Sequence, residues 1–544
     1  MQALEITGVI LSCLLVPSKS LPNIVYILVD DLGWNDVPWH NPQVLMPNLG
    51  AMASSGLILE QSYSQPTCSP SRTALLTGYY PYRTGYQFMP PNNNEPVGLP
   101  TSFKILPEHL AKLGYSSHAI GKWHLGYCSP EYLPQNRGFD SFYGFWTGEG
   151  LHKIHADFGS AHDVDATTGY DFHLNDKLAL GALGTYTSDL FVERVSDILS
   201  EKAGLAKEPA GYPKGEVEME NYNASNPFFL YLAYQNVHAP LDVQPEYEAL
   251  YPDEEDPSRK TYLGMASAVD DSVGQIVNHL KRFVYTQDGA KRNLFDDTVF
   301  IFSSDNGGMS QGLGYAGGSN TPLRGRKGDT WEGGCRVPAF ITNINQTWIH
   351  DDMFHFTDCL PTIYSGLLGG NADDLGDIDG VNQWEVLKKT KEPVRTEILY
   401  DMANFQNTNF TYFLTPSWPA DFIISGSFGA AIRVADYKLI VGCSTIIGCA
   451  RNYNDTWEGN TDINRTLLFD LSVDPEEQVD LADALPDVVA DLRDRLEVHV
   501  ARAVKPIHLP DDPTGLPNHH FPPGQFFTGW CEAIEHPQPD EGQL

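Results

Sequence analysis

Basic residues are scarce in this chain: 35 Lys and Arg stand against 70 Asp and Glu in 544 residues, a formal charge of −35. Nucleic acid and anionic membrane surfaces both require a basic face, so neither is an expected partner. Long apolar runs are also missing. The run Ile6–Val16 is too short to cross a bilayer and is followed by the small residues Ser18 and Ser20, so residues 1–20 read as a signal peptide with no stable membrane insertion after it. No H-E-x-x-H zinc helix, no G-x-S-x-G elbow and no P-loop spacing occurs. The acidic stretch Asp373–Gly380 would put Leu375 at the first ligand position of an EF-hand, which excludes that reading. Low-complexity tracts and internal repeats are absent, and the 42% hydrophobic content suits one large core with a smaller domain beside it.

Cysteines number only eight. Cys13 leaves with the leader and Cys68 sits in the motif discussed below. The remaining Cys128, Cys335, Cys359, Cys443, Cys449 and Cys531 form an even set that permits disulfides in an exported protein. Cys443 and Cys449 flank a short loop and are the expected pair, while Cys335 also reads as a free buried thiol. Five N-x-[ST] acceptors, at Asn223, Asn345, Asn409, Asn454 and Asn464, favour the secretory route and a lysosomal or secreted destination.

The apolar run Asn23–Val29 ends abruptly in Asp30 and Asp31, as a buried strand delivering two carboxylates would. Phe228–Ala233 leads likewise to His238, and Thr298–Phe302 to Asp305 and Asn306, with helical patterns over Tyr186–Leu199 and Tyr262–Phe283 between them. Strands alternating with helices predict an α/β fold with a large mixed sheet sandwiched by helices, whose sites collect beyond the strand C-termini. This domain is expected over residues 21–390. From 391 to 544 the texture changes to a smaller α+β domain and tail, with short strands at Ala430–Val441 and Leu467–Leu471, then an amphipathic helix at Pro486–Ala503. Asp30, Asp31, Asp305 and Asn306 are all oxygen donors, the hard set that suits Ca²⁺ or Mg²⁺ rather than zinc.

Cys68-Ser69-Pro70-Ser71-Arg72 is the most specific segment. A thiolate phosphatase needs five residues between Cys and Arg, and here three intervene. The segment matches the C-x-P-S-R signature of the formylglycine-dependent sulfatases, and Gly121-Lys122-Trp123-His124-Leu125-Gly126, Asn236–Pro240 and Leu323–Lys327 resemble further blocks of that family. The resemblance runs from about Pro22 to Pro361. Asp30–Asp36 and Trp331–Gly334 look most like its arylsulfatase B branch, which acts on 4-sulfated N-acetylgalactosamine in glycosaminoglycans. The chain departs from the pattern at Tyr79, where the family usually has Arg.

The resemblance implies that a formylglycine-generating enzyme oxidises Cys68 during maturation, and that Asp30, Asp31, Asp305, Asn306 and the modified Cys68 bind one calcium ion. Arg72 and Lys122 would hold the formylglycine, whose hydrated aldehyde attacks sulfur in line. His238 and Lys327 would protonate or stabilise the departing alcohol oxygen of a sulfated carbohydrate, and His124 would take the proton that lets sulfate leave. An arylsulfatase acting on another sugar sulfate or on an aryl sulfate is the alternative within the family, and two readings outside it compete. A phosphatase of the alkaline-phosphatase-like superfamily would use Ser or Thr and two zinc ions, and a non-catalytic calcium-binding glycoprotein would leave Cys68 unmodified. The segment Glu149–Tyr170, with His152, His155 and His162, has no clear counterpart in the family and reads either as a contact to sugar or, the favoured reading, as a solvated loop. Oligomeric state is not readable.

Overall fold

Seven consecutive buried residues, Asn23–Val29, form the strand around which the large sheet is built. Thr298–Ser304 and Phe228–Tyr234 run parallel to it on either side and are buried throughout. Cover on both faces explains why these runs are continuously apolar instead of alternating. Successive side chains still go to opposite faces. Val25, Ile27 and Val29 join Leu230, Leu232 and Phe302 in one core beneath the Thr187–Lys202 and Pro257–Arg282 helices. Ile24, Tyr26 and Leu28 join Phe229 and Tyr231 in the other, with the Cys68–Thr77 helix packed there.

This computed structural model describes residues 21–87, 90–158, 168–205, 215–219, 226–287, 289–310, 316–402, 429–442, 466–507, 509, 512–515 and 531. Beyond Phe228–Tyr234 the parallel run continues through Ser116–Lys122 and Ser141–Phe145. On the other side Ala339–Thr342 and Leu57–Leu59 pair antiparallel, and the short hairpin His173–Leu178 closes the far edge. The result is a ten-stranded mixed sheet with helices on both faces, as the alternating pattern predicts.

A separate four-stranded antiparallel sheet follows, made in sequence order by Glu397–Met402, Ala430–Val434, Tyr437–Val441 and Thr466–Asp470. One face packs Leu399, Ile432 and Leu439 under Leu492 and Leu496 of the Pro486–Ala501 helix. The opposite face, with Ile398, Tyr400 and Ile440, meets Tyr63, Trp331 and Cys335 of the large domain.

Cys128 is bridged to Cys531, across a separation of 403 residues, while Cys335 and Cys359 are buried free thiols. The expected Cys443 and Cys449 pair lies outside the described residues, as do the leader and Asn223, Asn409, Asn454 and Asn464. Asn345 is exposed. Among the described residues no helix is long and apolar enough to cross a membrane. Cys128→Ser, by freeing so large a loop, is expected to lose about 2–4 kcal/mol of stability while kcat stays unchanged. Urea unfolding alongside steady-state rates would check this.

Candidate active site

The sheet register sets Val29 level with Tyr234 and Ser304, so the residues that follow these strands emerge together along one edge. Asp30 and Asp31 leave the central strand there, and Asp305 and Asn306 leave its neighbour. Lys122 ends the Ser116–Lys122 strand, with His124 two residues on. Cys68 opens the buried ten-residue helix Cys68–Thr77, which Gly78 terminates at φ +75°, a conformation that glycine adopts without a Cβ clash. Its unpaired N–H groups and positive dipole end lie at Cys68, where negative charge is favoured.

Each acidic group in this cluster has a cation. Asp30 Oδ2 accepts from Lys122 Nζ at 2.6 Å, and Asp305 Oδ2 accepts from Arg72 Nε at 3.1 Å and Nη2 at 2.8 Å. Asp31 Oδ1 accepts from Lys327 Nζ and from Asn306 Nδ2, both at 2.7 Å. The Cys68 thiol lies 3.5 Å from Asp30 Oδ1. His238 donates from Nδ1 to the Ala239 carbonyl at 2.6 Å and presents Nε2 at 3.8 Å from Asp31 Oδ2. Ligand-type atoms of Asp30, Asp31, Cys68 and His238 all lie within 4.8 Å of one another.

Burial acts to raise the Asp30 and Asp31 carboxyls. Lys122 and His238 beside Asp30, and Lys327 and His238 beside Asp31, outweigh it and hold both below the usual carboxylate range. Cys68 goes the other way. Burial pushes its thiol up to about 12, so the unmodified side chain stays protonated and is a poor nucleophile at neutral pH. Burial, then the charges of Lys122, Arg72 and Lys327, drives His124 well below its ordinary value. His124 is therefore neutral, with no partner at Nδ1 among the described residues. Ser69 Oγ donates to the His124 carbonyl at 2.7 Å, and Gly148 passes so close that a Cβ there would sit 2.7 Å from Nε2.

The donor set fits a hard divalent cation. Asn306 Oδ1 is buried with no hydrogen-bond partner among the described residues, while its Nδ2 donates to the Asp31 carboxylate. An orphaned buried carbonyl is costly, and an oxygen-seeking ion would satisfy it. The expected catalytic residues Cys68, Arg72, Lys122, His124, His238 and Lys327 are brought to the same edge as the expected ligands.

One expectation needs correction. His152 and His155 are not in a solvated loop. His152 is 1% exposed and stacked on Tyr186 at 4.7 Å, and His155 Nε2 bonds to the Ala182 carbonyl at 3.1 Å. The segment is drawn inward because Gln235 Nε2 holds the Gly150 carbonyl and Thr187 Oγ1 holds that of His152. His162 lies outside the described residues. Sequence reasoning also missed Glu149, whose Oε2 stands 3.7 Å from His238 Nδ1. No local signal marks it, because the contact joins segments distant in the chain.

A sequence profile of the family described as Sulfatase matches residues 22–363, well over half of the chain. Over 514 residues the chain is 32% identical to arylsulfatase J of Mus musculus, covering 92% of this chain and 79% of that protein. It is also 32% identical over 332 residues to N-acetylgalactosamine-6-sulfatase of Homo sapiens, a match that spans 58% of this chain and just over half, 56%, of that protein. Among solved structures, that of Ps i-CgsB in complex with k-i-k-neocarrahexaose superposes with a TM-score of 0.69 at 26% identity, covering 91% of this chain and 96% of that one. These relatives carry several different sulfatase names, so no single branch is fixed. The chain belongs to the sulfatase family and is a sulfuric ester hydrolase.

Proposed function

We propose that this enzyme removes sulfate from sulfated carbohydrates, with the 4-sulfate of N-acetylgalactosamine in chondroitin or dermatan sulfate as its substrate, through a formylglycine made from Cys68 at a calcium site. The observation that carries the reading is the buried convergence of three carboxylates and three cations on Cys68. The sugar class is supported by the names of two relatives, and the 4-position by the likeness of Asp30–Asp36 and Trp331–Gly334 to the arylsulfatase B branch.

Asp30, Asp31, Asp305 and Asn306 would hold the ion, with the modified Cys68 completing the set. Formylglycine supplies a hydroxyl nucleophile for sulfur, and the ion supplies positive charge for the sulfuryl oxygens. Asp30, Asp31 and Asp305 balance Arg72, Lys122 and Lys327, so a bound divalent ion leaves an excess of two positive charges. Such a local excess would favour an anionic sulfate ester in an otherwise acidic molecule. Arg72 and Lys122 fix the carboxylates and the side chain at position 68. Lys327 and His238, both beside Asp31, would protonate or stabilise the departing alcohol oxygen, and neutral His124 would accept the proton when sulfate is released.

The reading includes passage through the secretory pathway to a lysosomal or extracellular destination, where a formylglycine-generating enzyme meets the chain. Its supports are the exposed acceptor Asn345 and the Cys128–Cys531 disulfide.

Two measurements test this. In thermal unfolding without substrate, calcium at a hundred times its Kd is expected to add about 2.7 kcal/mol of stability. Asp31→Asn should abolish the shift, and an unchanged midpoint in the parent protein would rule out the ion site. Sulfate release from 4-sulfated and 6-sulfated N-acetylgalactosamine oligosaccharides and an aryl sulfate should favour the 4-sulfate. Activity on the aryl sulfate alone would keep the chemistry and discard the substrate.

A further inference from the structure

Lys327 reaches Asp31 from a stretch, between Ser304 and the short helix beginning at Glu332, whose described residues form neither helix nor strand. Catalytic geometry must be held to a fraction of an ångström, so something must fix this loop. Next to the site, Gly328 N donates to the Pro66 carbonyl at 2.7 Å. Within the large domain Lys327 N also donates to the Gly308 carbonyl at 3.3 Å and Asn320 Nδ2 to the Gly325 carbonyl at 3.2 Å, and further anchors come from the C-terminal domain.

Glu332 is fully buried. Its Oε2 accepts from Tyr63 Oη at 2.8 Å, and its Oε1 accepts from Tyr400 Oη at 2.6 Å and Lys438 Nζ at 3.0 Å. Lys438 Nζ also reaches Glu477 Oε1 at 2.7 Å. Glu477 Oε2 accepts the Glu332 N–H at 2.7 Å, and the Glu477 carbonyl accepts from Arg324 Nη1 at 2.9 Å. The Arg324 guanidinium lies over the Trp331 ring at 3.8 Å. Glu477 therefore grips the segment that carries Lys327 at two points, three residues before it and five after. It does so from φ +57°, a conformation unfavourable for Glu, and kept here because both its carboxylate and its carbonyl are engaged.

The charges point the same way. Burial acts to raise Glu332, but Lys438, Arg336 and Arg433 outweigh it and hold it at about 2, whereas burial lifts Glu477 to about 7. Buried ion groups of this kind contribute little net stability compared with apolar side chains of equal volume, and their best-supported use is to select one geometry.

We propose that Glu477 and Lys438 are positioning residues for Lys327, through which the C-terminal domain clamps both ends of the Arg324–Glu332 segment and places the Lys327 ammonium at the leaving oxygen. The inference rests on the proposed reading of Lys327 as the group that assists the leaving alcohol.

The test uses the full chain with Cys68 converted, carrying Lys327→Ala, Lys438→Met, Glu477→Gln and the double variant Lys327→Ala with Glu477→Gln. Each is assayed on sulfate esters whose alcohols range from a nitrophenol to a sugar hydroxyl. Glu477→Gln keeps the side-chain shape and carries the test even where Lys438→Met fails to fold. Its kcat on the sugar sulfate should fall about 10- to 100-fold with KM little changed. The loss should shrink towards nothing on the nitrophenyl ester, whose leaving group needs no proton. Added to Lys327→Ala, Glu477→Gln should cost nothing more. A loss equal across all esters, or one that adds to that of Lys327→Ala, would overturn the inference. Lys327→Ala alone separates the two claims. Without a leaving-group dependence in that variant the reading of Lys327 falls, and this inference with it. With that dependence present there and absent in Glu477→Gln, only the inference falls.

Discussion

Cys68→Ala is expected to reduce sulfate release by about 10⁴-fold or more, the scale on which enzymes lose a nucleophile, while the fold persists. The side chain is small and 2% exposed, and among the described residues its one hydrogen bond, to Asp30 Oδ1 at 3.5 Å, is weak, so its removal opens little space. Cys68→Ser is the sharper variant. It restores a hydroxyl at nearly the same place but cannot become an aldehyde, and sustained turnover should be lost as in the alanine variant. A serine variant turning over at a substantial fraction of the parent rate would show that the site works as an ordinary hydroxyl hydrolase. The mass of the Cys68 peptide also settles the non-catalytic reading, which requires an unmodified thiol in protein with no activity on any sulfate ester.

Asp305→Ala should be nearly as damaging for a different reason. Arg72 is fully buried and gives Asp305 two hydrogen bonds, at 3.1 and 2.8 Å, and the Asp31 N–H donates to its other oxygen at 3.2 Å. Truncation leaves a buried guanidinium without its main partner, a loss of about 3–5 kcal/mol. It also removes one of the proposed calcium ligands, so activity should fall below detection and calcium should no longer raise the unfolding midpoint. Asp305→Asn, which keeps the hydrogen-bonding oxygen and loses only the charge, should recover part of the stability and little of the calcium response. An Asp305→Ala protein as stable and as calcium-responsive as the parent would contradict the role assigned to this carboxylate.

The parts of the fold that were legible in sequence are those whose burial is uniform. Asn23–Val29 and Phe228–Tyr234 are covered on both faces, so their composition alone marks them as interior strands, and the polar residues after them mark the active edge. The outermost strand on one side of the sheet and its neighbour were not legible. Leu57–Leu59 and Trp348–His350 span three residues each and are defined by pairing partners distant in the chain. The disulfide escaped because its halves stand 403 residues apart, and nothing local to Cys128 or Cys531 points to the other. Lys438 lies in a strand where alternation suggests a solvent-facing lysine, yet it is wholly buried. Its place depends on Glu332 and Glu477, which only the tertiary structure brings together. Cys68, Asp30, Lys122 and Lys327 were legible because each sits in a block whose chemistry explains it. The same blocks say nothing of Glu149 or of the clamp behind Lys327.

The measurement that bears most directly on the chemistry is specific activity plotted against the fraction of Cys68 converted to the aldehyde. Preparations made with graded amounts of formylglycine-generating enzyme would supply the range, and peptide mass analysis would supply the fraction. The expected result is a straight line through the origin. Activity that persists at zero conversion, or that does not rise with conversion, would contradict a formylglycine at position 68 as the nucleophile.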